Sequence, residues 1–154
     1  MTDPLRLSFR VACPPEHAFN VWASRTSLWW PADHTVSGED GLEIVIEPRV
    51  GGRIFERTAS GDEETWGEVL VWEPPRRLAY LWHLRTDRAD ATEVEITFVP
   101  DGDGATEVRI DHRGWERLGA RGDAWRERNR RGWDTLLPWY IDSCEGDSHA
   151  RSNP

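Results

Sequence analysis

The sequence contains no lysine. All 19 basic residues are arginines, and they stand against 28 aspartates and glutamates, so the formal net charge of the 154-residue chain is −9. The absence of lysine excludes Schiff-base chemistry, pyridoxal phosphate attachment and a P-loop amine. The acidic balance argues against a nucleic-acid partner, because such binding relies on basic surfaces that neutralise phosphates.

Cysteine is scarce, and long apolar runs are absent. Cys13 and Cys144 are far apart in the sequence and lack partners at metal-binding spacing, so we expect two reduced thiols. No apolar run approaches the roughly 20 residues that a membrane-spanning helix needs. Residues Met1–Pro4 show no signal segment. We therefore expect a cytoplasmic protein without membrane insertion.

Motifs for metal and hydrolase chemistry are also missing. No two of the five histidines have the His-x-x-x-His spacing of a helical zinc site. There is no Gly-x-Ser-x-Gly nucleophile elbow. Asp101–Gly104 is interpreted as a hairpin turn, because a calcium loop would need a glutamate at its last position. We expect no metal and no cofactor.

Tryptophan, in contrast, is abundant. The chain has ten indole side chains. Each indole buries about 150–250 Å² and needs a partner for its N–H, which a core of this size cannot easily provide for so many rings. We therefore expect some tryptophans to line a cavity or groove. The alternative is that most of them are core and a few are exposed edges.

Hydrophobic periodicity predicts one α+β domain. Alternation at residues 5–12 predicts a strand, and two short helices follow at 15–23 and 24–31, the second capped by Ser24. Alternation then recurs in six segments between residues 42 and 112. The short polar turns between these segments favour antiparallel pairing. The segment at residues 65–73 has a possible bulge at Gly67.

The helical period returns near the C-terminus, where Pro138 predicts a kink. One face of this last helix comprises Trp125, Asn129, Trp133, Leu136, Leu137 and Tyr140. The arginines at positions 126, 128, 130 and 131 are interpreted as a solvated face rather than an anion site. Because a sheet must bury one face, we expect a curved sheet of about six to seven strands wrapped around this helix. Residues 1–144 would form this domain and residues 145–154 a frayed polar tail.

Several local motifs stand in the order found in a known family. They are Trp29-Trp30-Pro31, Glu47–Arg53, Trp66-Gly67, Trp72–Leu78, His112–Trp115 and Gly132-Trp133. Over roughly residues 5–142 the chain resembles the activator of heat-shock-protein-90 ATPase homologue-like (AHSA-like) family of the START/SRPBCC (birch-pollen-allergen-like) superfamily. The resemblance implies a helix-grip fold with a deep, mostly apolar pocket. It implies no single activity, because the superfamily includes lipid carriers, hormone receptors and aromatic cyclases.

Glu56 and His112 are the sharpest polar candidates for such a pocket. By alternation Glu56 shares a strand face with Ile54, and His112 shares one with Ile110. A buried carboxylate or imidazole needs a partner. The two groups could anchor a ligand or exchange protons as acid and base. The alternative is a structural pair, satisfied by each other or by an arginine.

The ligand pocket is expected to combine these two polar groups with aromatic and aliphatic walls. The candidate lining residues are Trp29, Trp30, Ile54, Glu56, Trp66, Tyr80, Trp82, His112 and Trp133, with Trp115 in the same aromatic set. The leading hypothesis is a carrier or sensor that binds an apolar or aromatic small molecule. The second is a cyclase- or hydrolase-type enzyme in which Glu56 and His112 act as acid and base.

The third hypothesis is a co-chaperone-like or dimeric interaction module that presents surface tryptophans. The co-chaperone after which the family is named has an additional N-terminal domain, for which this chain has no room. We therefore do not expect chaperone binding, whereas a homodimer remains open.

Overall fold

The computed structural model describes residues 3–31, 34, 35, 37–39, 41–83 and 88–152. Its strands are β1 (Leu5–Val11), β2 (Glu43–Ile46), β3 (Arg53–Arg57), β4 (Glu63–Glu73), β5 (Arg77–Trp82), β6 (Thr92–Pro100) and β7 (Thr106–Arg113). Its α-helices are α1 (Pro15–Ser24), α2 (Thr26–Trp29) and α3 (Gly122–Ser152). Short 3-10 segments at Arg88–Asp90 and Trp115–Arg121 precede β6 and α3.

The described strands form one antiparallel sheet in the order β1-β7-β6-β5-β4-β3-β2. Consecutive strands from β2 to β7 are neighbours, and β1 returns to pair with β7, for example through Leu5 opposite His112. This arrangement confirms the α+β helix-grip architecture, with a curved sheet, two short helices after the first strand and a long C-terminal helix.

Alternation separates the two faces of the sheet. In β6 the inward side chains of Val94, Ile96 and Phe98 are buried. Glu93 and Glu95 alternate with them and lie on the outer face. On that outer face Arg113 donates to Glu93 at 2.6 Å and to Glu95 at 3.0 Å across the β6–β7 pair. The solvated face is therefore a ladder of cross-strand ion pairs, and the opposite face is left for packing against α3.

The last helix packs on the sheet through one apolar face. Its buried residues are Trp133, Leu136, Leu137, Tyr140 and Cys144. Toward its C-terminal half the helix is also fixed by polar contacts, since the Tyr140 hydroxyl donates to the Ala18 carbonyl at 2.7 Å. Cys13 and Cys144 are free, buried thiols, and their interaction lowers the pKa of Cys13 and raises that of Cys144. The fold thus brings together two cysteines that are distant in the sequence.

Three details differ from the sequence-based expectations. Ser24 is the last residue of α1, and Arg25 occupies the N-cap of α2 without a side-chain cap, so the prediction of Ser24 as cap is wrong. The 3-10 segment Trp115–Arg121 was not predicted, because it has no long apolar period and contains Gly119 in a non-helical conformation. Helix α3 continues past Pro138 and through residues 145–152, so a domain boundary at residue 144 stays a prediction.

The β3–β4 pair contains an irregularity next to the predicted bulge at Gly67. Ile54 pairs with Gly67 and Phe55 with Thr65, which leaves Trp66 as the extra residue. A Cβ on Gly67 would lie 2.0 Å from the Leu81 carbonyl oxygen of the neighbouring strand. Only glycine lets the two backbones approach so closely.

Replacing Gly67 by alanine should therefore destabilise the fold, because β4 and β5 must separate to admit the methyl group. The expected loss is about 3 kcal/mol, at the upper end of the usual cost of overpacking. Urea unfolding followed by circular dichroism measures it.

Gly146→Ala is the matched control, because no atom lies within 4 Å of a Cβ at that helical position. It should leave stability unchanged or raise it by up to about 1 kcal/mol through helix propensity. Equal stability of the two variants would contradict the close approach at Gly67.

Candidate functional site

Aromatic rings fill the space between the sheet and the helices. Trp30 is near the centre of this cluster, with ring centroids 5.4 Å from Trp29, 5.3 Å from Trp66 and 5.6 Å from Trp82. Trp22, on α1, contacts Trp29 and Trp133 in turn. The rings meet at tilted or edge-on angles, which are the favoured geometries for aromatic pairs. The interior is therefore largely a packed aromatic core.

A cavity of about 310 Å³ lies at one end of this core and opens to the surface. Its walls come from the ends of β5 and β6, the 3-10 segment before α3 and the first half of α3. Five indoles line it, namely Trp30, Trp82, Trp115, Trp125 and Trp133. Polar groups at its wall and rim include His83, Asp90, Thr92, Arg128, Asn129 and Arg131.

The structure divides the predicted site residues into two groups. Trp30, Trp82 and Trp133 line the cavity. The others are buried and lie outside its lining: Trp29, Ile54, Glu56, Trp66, Tyr80 and His112. The deep pocket that the family resemblance implies is thus a smaller cavity with a mixed lining, because large rings occupy the interior behind it.

Sequence reasoning missed several cavity residues. Trp125 and Asn129 were placed on one helical face with Trp133, and that shared face was a usable signal for their position. Arg128 is exposed, as the sequence predicts, and it also contributes to the cavity lining, which the sequence does not indicate. Leu118 lies in the unpredicted 3-10 segment, where no periodicity indicates its burial.

His112 is fully buried directly behind the cavity wall. The indole N–H of Trp133 donates to its Nδ1 at 3.1 Å, and its Nε2 lies 2.7 Å from the Thr92 hydroxyl oxygen. Because an indole N–H can only donate, Nδ1 is the acceptor, and Nε2 carries the proton that is donated to Thr92. Trp133 and Thr92 both line the cavity, so this imidazole connects two parts of its wall.

Burial lowers the pKa of His112 to about 3, because the charged imidazolium would lose its hydration there. The ring is therefore neutral at ordinary pH, in agreement with its role as acceptor of the Trp133 N–H. Burial also raises the pKa of the Tyr80 hydroxyl well above its ordinary value. Both groups are held in their uncharged forms.

Glu56 is fully buried on β3 and is bound on both of its oxygens. The indole N–H of Trp66 donates to Oε1 at 2.8 Å, and the backbone N–H of Ser37 donates to Oε2 at 2.9 Å. The carboxyl group thus joins the segment after α2 to the sheet. It contacts the core tryptophan and does not reach the cavity lining.

The fold and these motifs match a known family. A family profile described as "Activator of Hsp90 ATPase homolog 1-like protein" matches residues 12–139. The chain belongs to this family. A search of curated proteins gives no match.

Solved structures extend the comparison. An anthrahydroquino-gamma-pyrone synthase, Txn09, is 35% identical, with 78% of this chain and 82% of that one covered and a TM-score of 0.55. The self-sacrificing resistance protein CalC from Micromonospora echinospora is 26% identical, with 95% and 96% covered and a TM-score of 0.70. An HSP90 activator from Plasmodium falciparum is 20% identical, with 92% and 94% covered and a TM-score of 0.65, which shows the shared fold.

In the part of the chain that the structure describes, no group of three or more His, Cys, Asp or Glu side chains could hold a metal ion. None of the described helices is long and apolar enough to cross a membrane.

The buried neutral state of His112 predicts a pH-dependent stability. The unfolded chain binds a proton near the ordinary histidine pKa of 6.5, whereas the folded chain binds it only near pH 3. Between these values the unfolded state holds more protons, so stability falls as the pH falls through this window. From pH 7.0 to pH 5.5 the expected loss from His112 is about 1.3 kcal/mol, measured by urea unfolding at both pH values.

His112→Gln supplies the comparison, because glutamine can accept and donate but does not titrate. From pH 7.0 to pH 5.5 the variant should lose about 1.3 kcal/mol less of its free energy of unfolding than the native chain does. If both proteins show the same pH dependence, His112 is not the buried neutral group that the structure describes.

Proposed function

We propose that this chain binds a flat aromatic small molecule in the tryptophan-lined cavity, as a carrier or sensor. The observation that carries the proposal is the lining itself, in which five indoles surround a cavity that opens to the surface. Indole faces stack on aromatic ligands and remove them from water. Polar groups at the rim would fix the orientation of the ligand, as in other small-molecule sites.

The size of the cavity limits the ligand. A volume of about 310 Å³ lies at the lower end of the range for small-molecule pockets, which is about 300–1,000 Å³. Such a volume suits a molecule of two or three fused rings better than a long lipid chain. Since rings fill the interior behind the cavity, a larger ligand would extend outward toward the rim.

One relative supports an aromatic ligand. The name of Txn09 specifies a fused aromatic ring system, and that protein is 35% identical to this chain. CalC, a resistance protein at 26% identity, shares the fold over nearly the whole chain. The printed names of these two relatives differ in function, a synthase and a resistance protein, so binding is the property on which we base the proposal.

A synthase is the second candidate, and the similarity to Txn09 is the observation that favours it. Glu56 and His112 were the predicted acid and base, but both lie behind the lining and are hydrogen-bonded there. An enzyme acting in the cavity would more directly use the lining residues His83 and Asp90 for proton transfer.

The interaction-module hypothesis has less support from the surface. Of the ten tryptophans, all of which the structure describes, only Trp139 is largely exposed, at 54%. A single exposed indole is a small apolar patch. Homodimer formation, the absence of chaperone binding and a cytoplasmic location stay predictions.

The substitution Gly132→Leu should fill part of the cavity and weaken ligand binding without destabilising the fold. Gly132 lines the cavity in α3, and no atom lies within 4 Å of a Cβ built there. A leucine at this position would occupy ligand space and would favour the helix by about 0.8 kcal/mol over glycine. We expect at least about tenfold weaker binding of the probe 1,8-dihydroxyanthraquinone, measured by quenching of tryptophan fluorescence.

The control is Gly146→Leu, which makes the same exchange in the same helix outside the cavity lining. Its affinity for the probe should equal that of the native chain. Native affinity in a folded Gly132→Leu variant would show that the probe binds elsewhere and would refute the cavity as the binding site.

Turnover separates the synthase from the carrier. For a synthase, conversion of an anthraquinone-type polyketide precursor, followed by liquid chromatography, should fall at least about 100-fold in Asp90→Asn or His83→Gln, as expected for loss of a general acid or base. His112→Gln would change stability more than rate. Conversion that persists in both rim variants would remove these residues from the mechanism, and binding without conversion would favour the carrier.

A further inference from the structure

The four clustered arginines of α3 have different surroundings in the structure. Arg126 donates to backbone oxygens just before β1, at 2.7 and 3.2 Å. Arg130 and Arg131 form ion pairs with Glu127, one turn away on the same helix. These three side chains have protein acceptors. Arg128 is exposed, as the sequence predicts for this helix face, and it also contributes to the cavity lining.

Arg128 is held at the cavity by an aromatic ring. Its guanidinium carbon lies 4.9 Å from the centroid of the Trp125 ring, and both residues line the cavity. Within the described residues, this cation has no carboxylate partner and no hydrogen-bond acceptor. An indole ring offers a cation a favourable surface but no lone pair for its N–H groups.

A guanidinium that stacks on an indole and has no acceptor for its N–H groups is well placed to bind an anion. Arginine presents planar, fixed N–H donors that match two oxygens of a carboxylate. Stacking on an indole restricts the side chain in advance, so less conformational entropy is lost when an anion binds. Asn129, the next residue of the cavity lining, donates its amide to the Trp125 carbonyl at 2.9 Å and so stabilises the same turn.

The charge around the cavity contrasts with that of the whole chain. The formal net charge of the chain is −9. Among the residues that the structure describes, the cavity lining nevertheless contains two arginines, Arg128 and Arg131, and one acidic residue, Asp90. The Asp90 carboxylate lies 3.6 Å from Arg121, outside the lining, which partly neutralises it. Arg131 is paired with Glu127 in the same way, so Arg128 is the cavity cation that has no carboxylate partner among the described residues.

We propose that the ligand is an aromatic acid, and that Arg128 binds its anionic oxygen while the ring stacks among the indoles. This inference rests on the proposed function and specifies its ligand class. The anionic group would be a carboxylate or an ionised phenol on the edge of the ring system. Arg128 would then be the residue that determines specificity for an acid over its neutral analogue.

A matched pair of probes tests the proposal. Anthraquinone-2-carboxylate and anthraquinone-2-carboxamide share a ring and nearly the same shape, and they differ in charge. Isothermal titration calorimetry at low salt should show about tenfold tighter binding of the carboxylate to the native chain, as expected for a charge-assisted hydrogen bond. The preference should shrink as salt is added, because the contact is near solvent.

Arg128→Gln should remove the preference. The carboxylate should lose about tenfold in affinity, and the amide should change less than about threefold. Arg130→Gln is the control, since it makes the same change in net charge two residues away on a side chain outside the cavity lining. It should retain the native preference, which separates a local contact from the overall field.

The outcomes distinguish the two proposals. Equal binding of both probes to the native chain, or an unchanged preference in Arg128→Gln, overturns the role of Arg128 and leaves the aromatic cavity in place. If neither probe binds the native chain, aromatic binding itself is refuted, and the acid-specific inference fails with it. A preference lost equally in both arginine variants would assign it to net charge and would also overturn the proposal.

Discussion

One buried imidazole joins the last helix to the sheet behind the cavity, and the positions of two cavity walls depend on it. His112 accepts from Trp133 of α3 and donates to Thr92 of β6. Only the neutral ring with its proton on Nε2 can do both. Protonation would place two donors, the imidazolium and the indole, against each other in the buried core. The shape of the cavity therefore follows from a single tautomer.

The same requirement explains why polar residues are found in the aromatic core. Trp29, Trp30 and Trp115 satisfy their N–H groups with nearby backbone carbonyls. Trp66 and Trp133 donate instead to the side chains of Glu56 and His112. A buried indole without an acceptor would cost about 1–3 kcal/mol. The need of Trp66 and Trp133 for a hydrogen-bond acceptor is thus enough to explain why Glu56 and His112 are buried, whether or not either contacts a ligand.

Much of the fold could be predicted from the sequence, because alternation directly reports which strand face is buried. It could not locate the cavity, because periodicity gives the face of a residue but not its position along the strand. Tyr80 and Trp82 share one face of β5, yet only Trp82 reaches the cavity. The cavity is formed in part by the 3-10 segment Trp115–Arg121 and by His83 and Asp90 between β5 and β6, and none of these lies in a regular apolar pattern.

Net charge is a poor guide to the ligand of such a site. At physiological ionic strength, charges are screened over about 8 Å, so most of the acidic surface contributes little at the cavity mouth. Among the described lining residues, Asp90 is paired with Arg121 and Arg131 with Glu127, so Arg128 is the cation left to act on a ligand. The negative total still slows the approach of an anion from solution. An acidic chain can therefore keep a cationic binding site, provided that its arginines are held locally, as Arg128 is by Trp125.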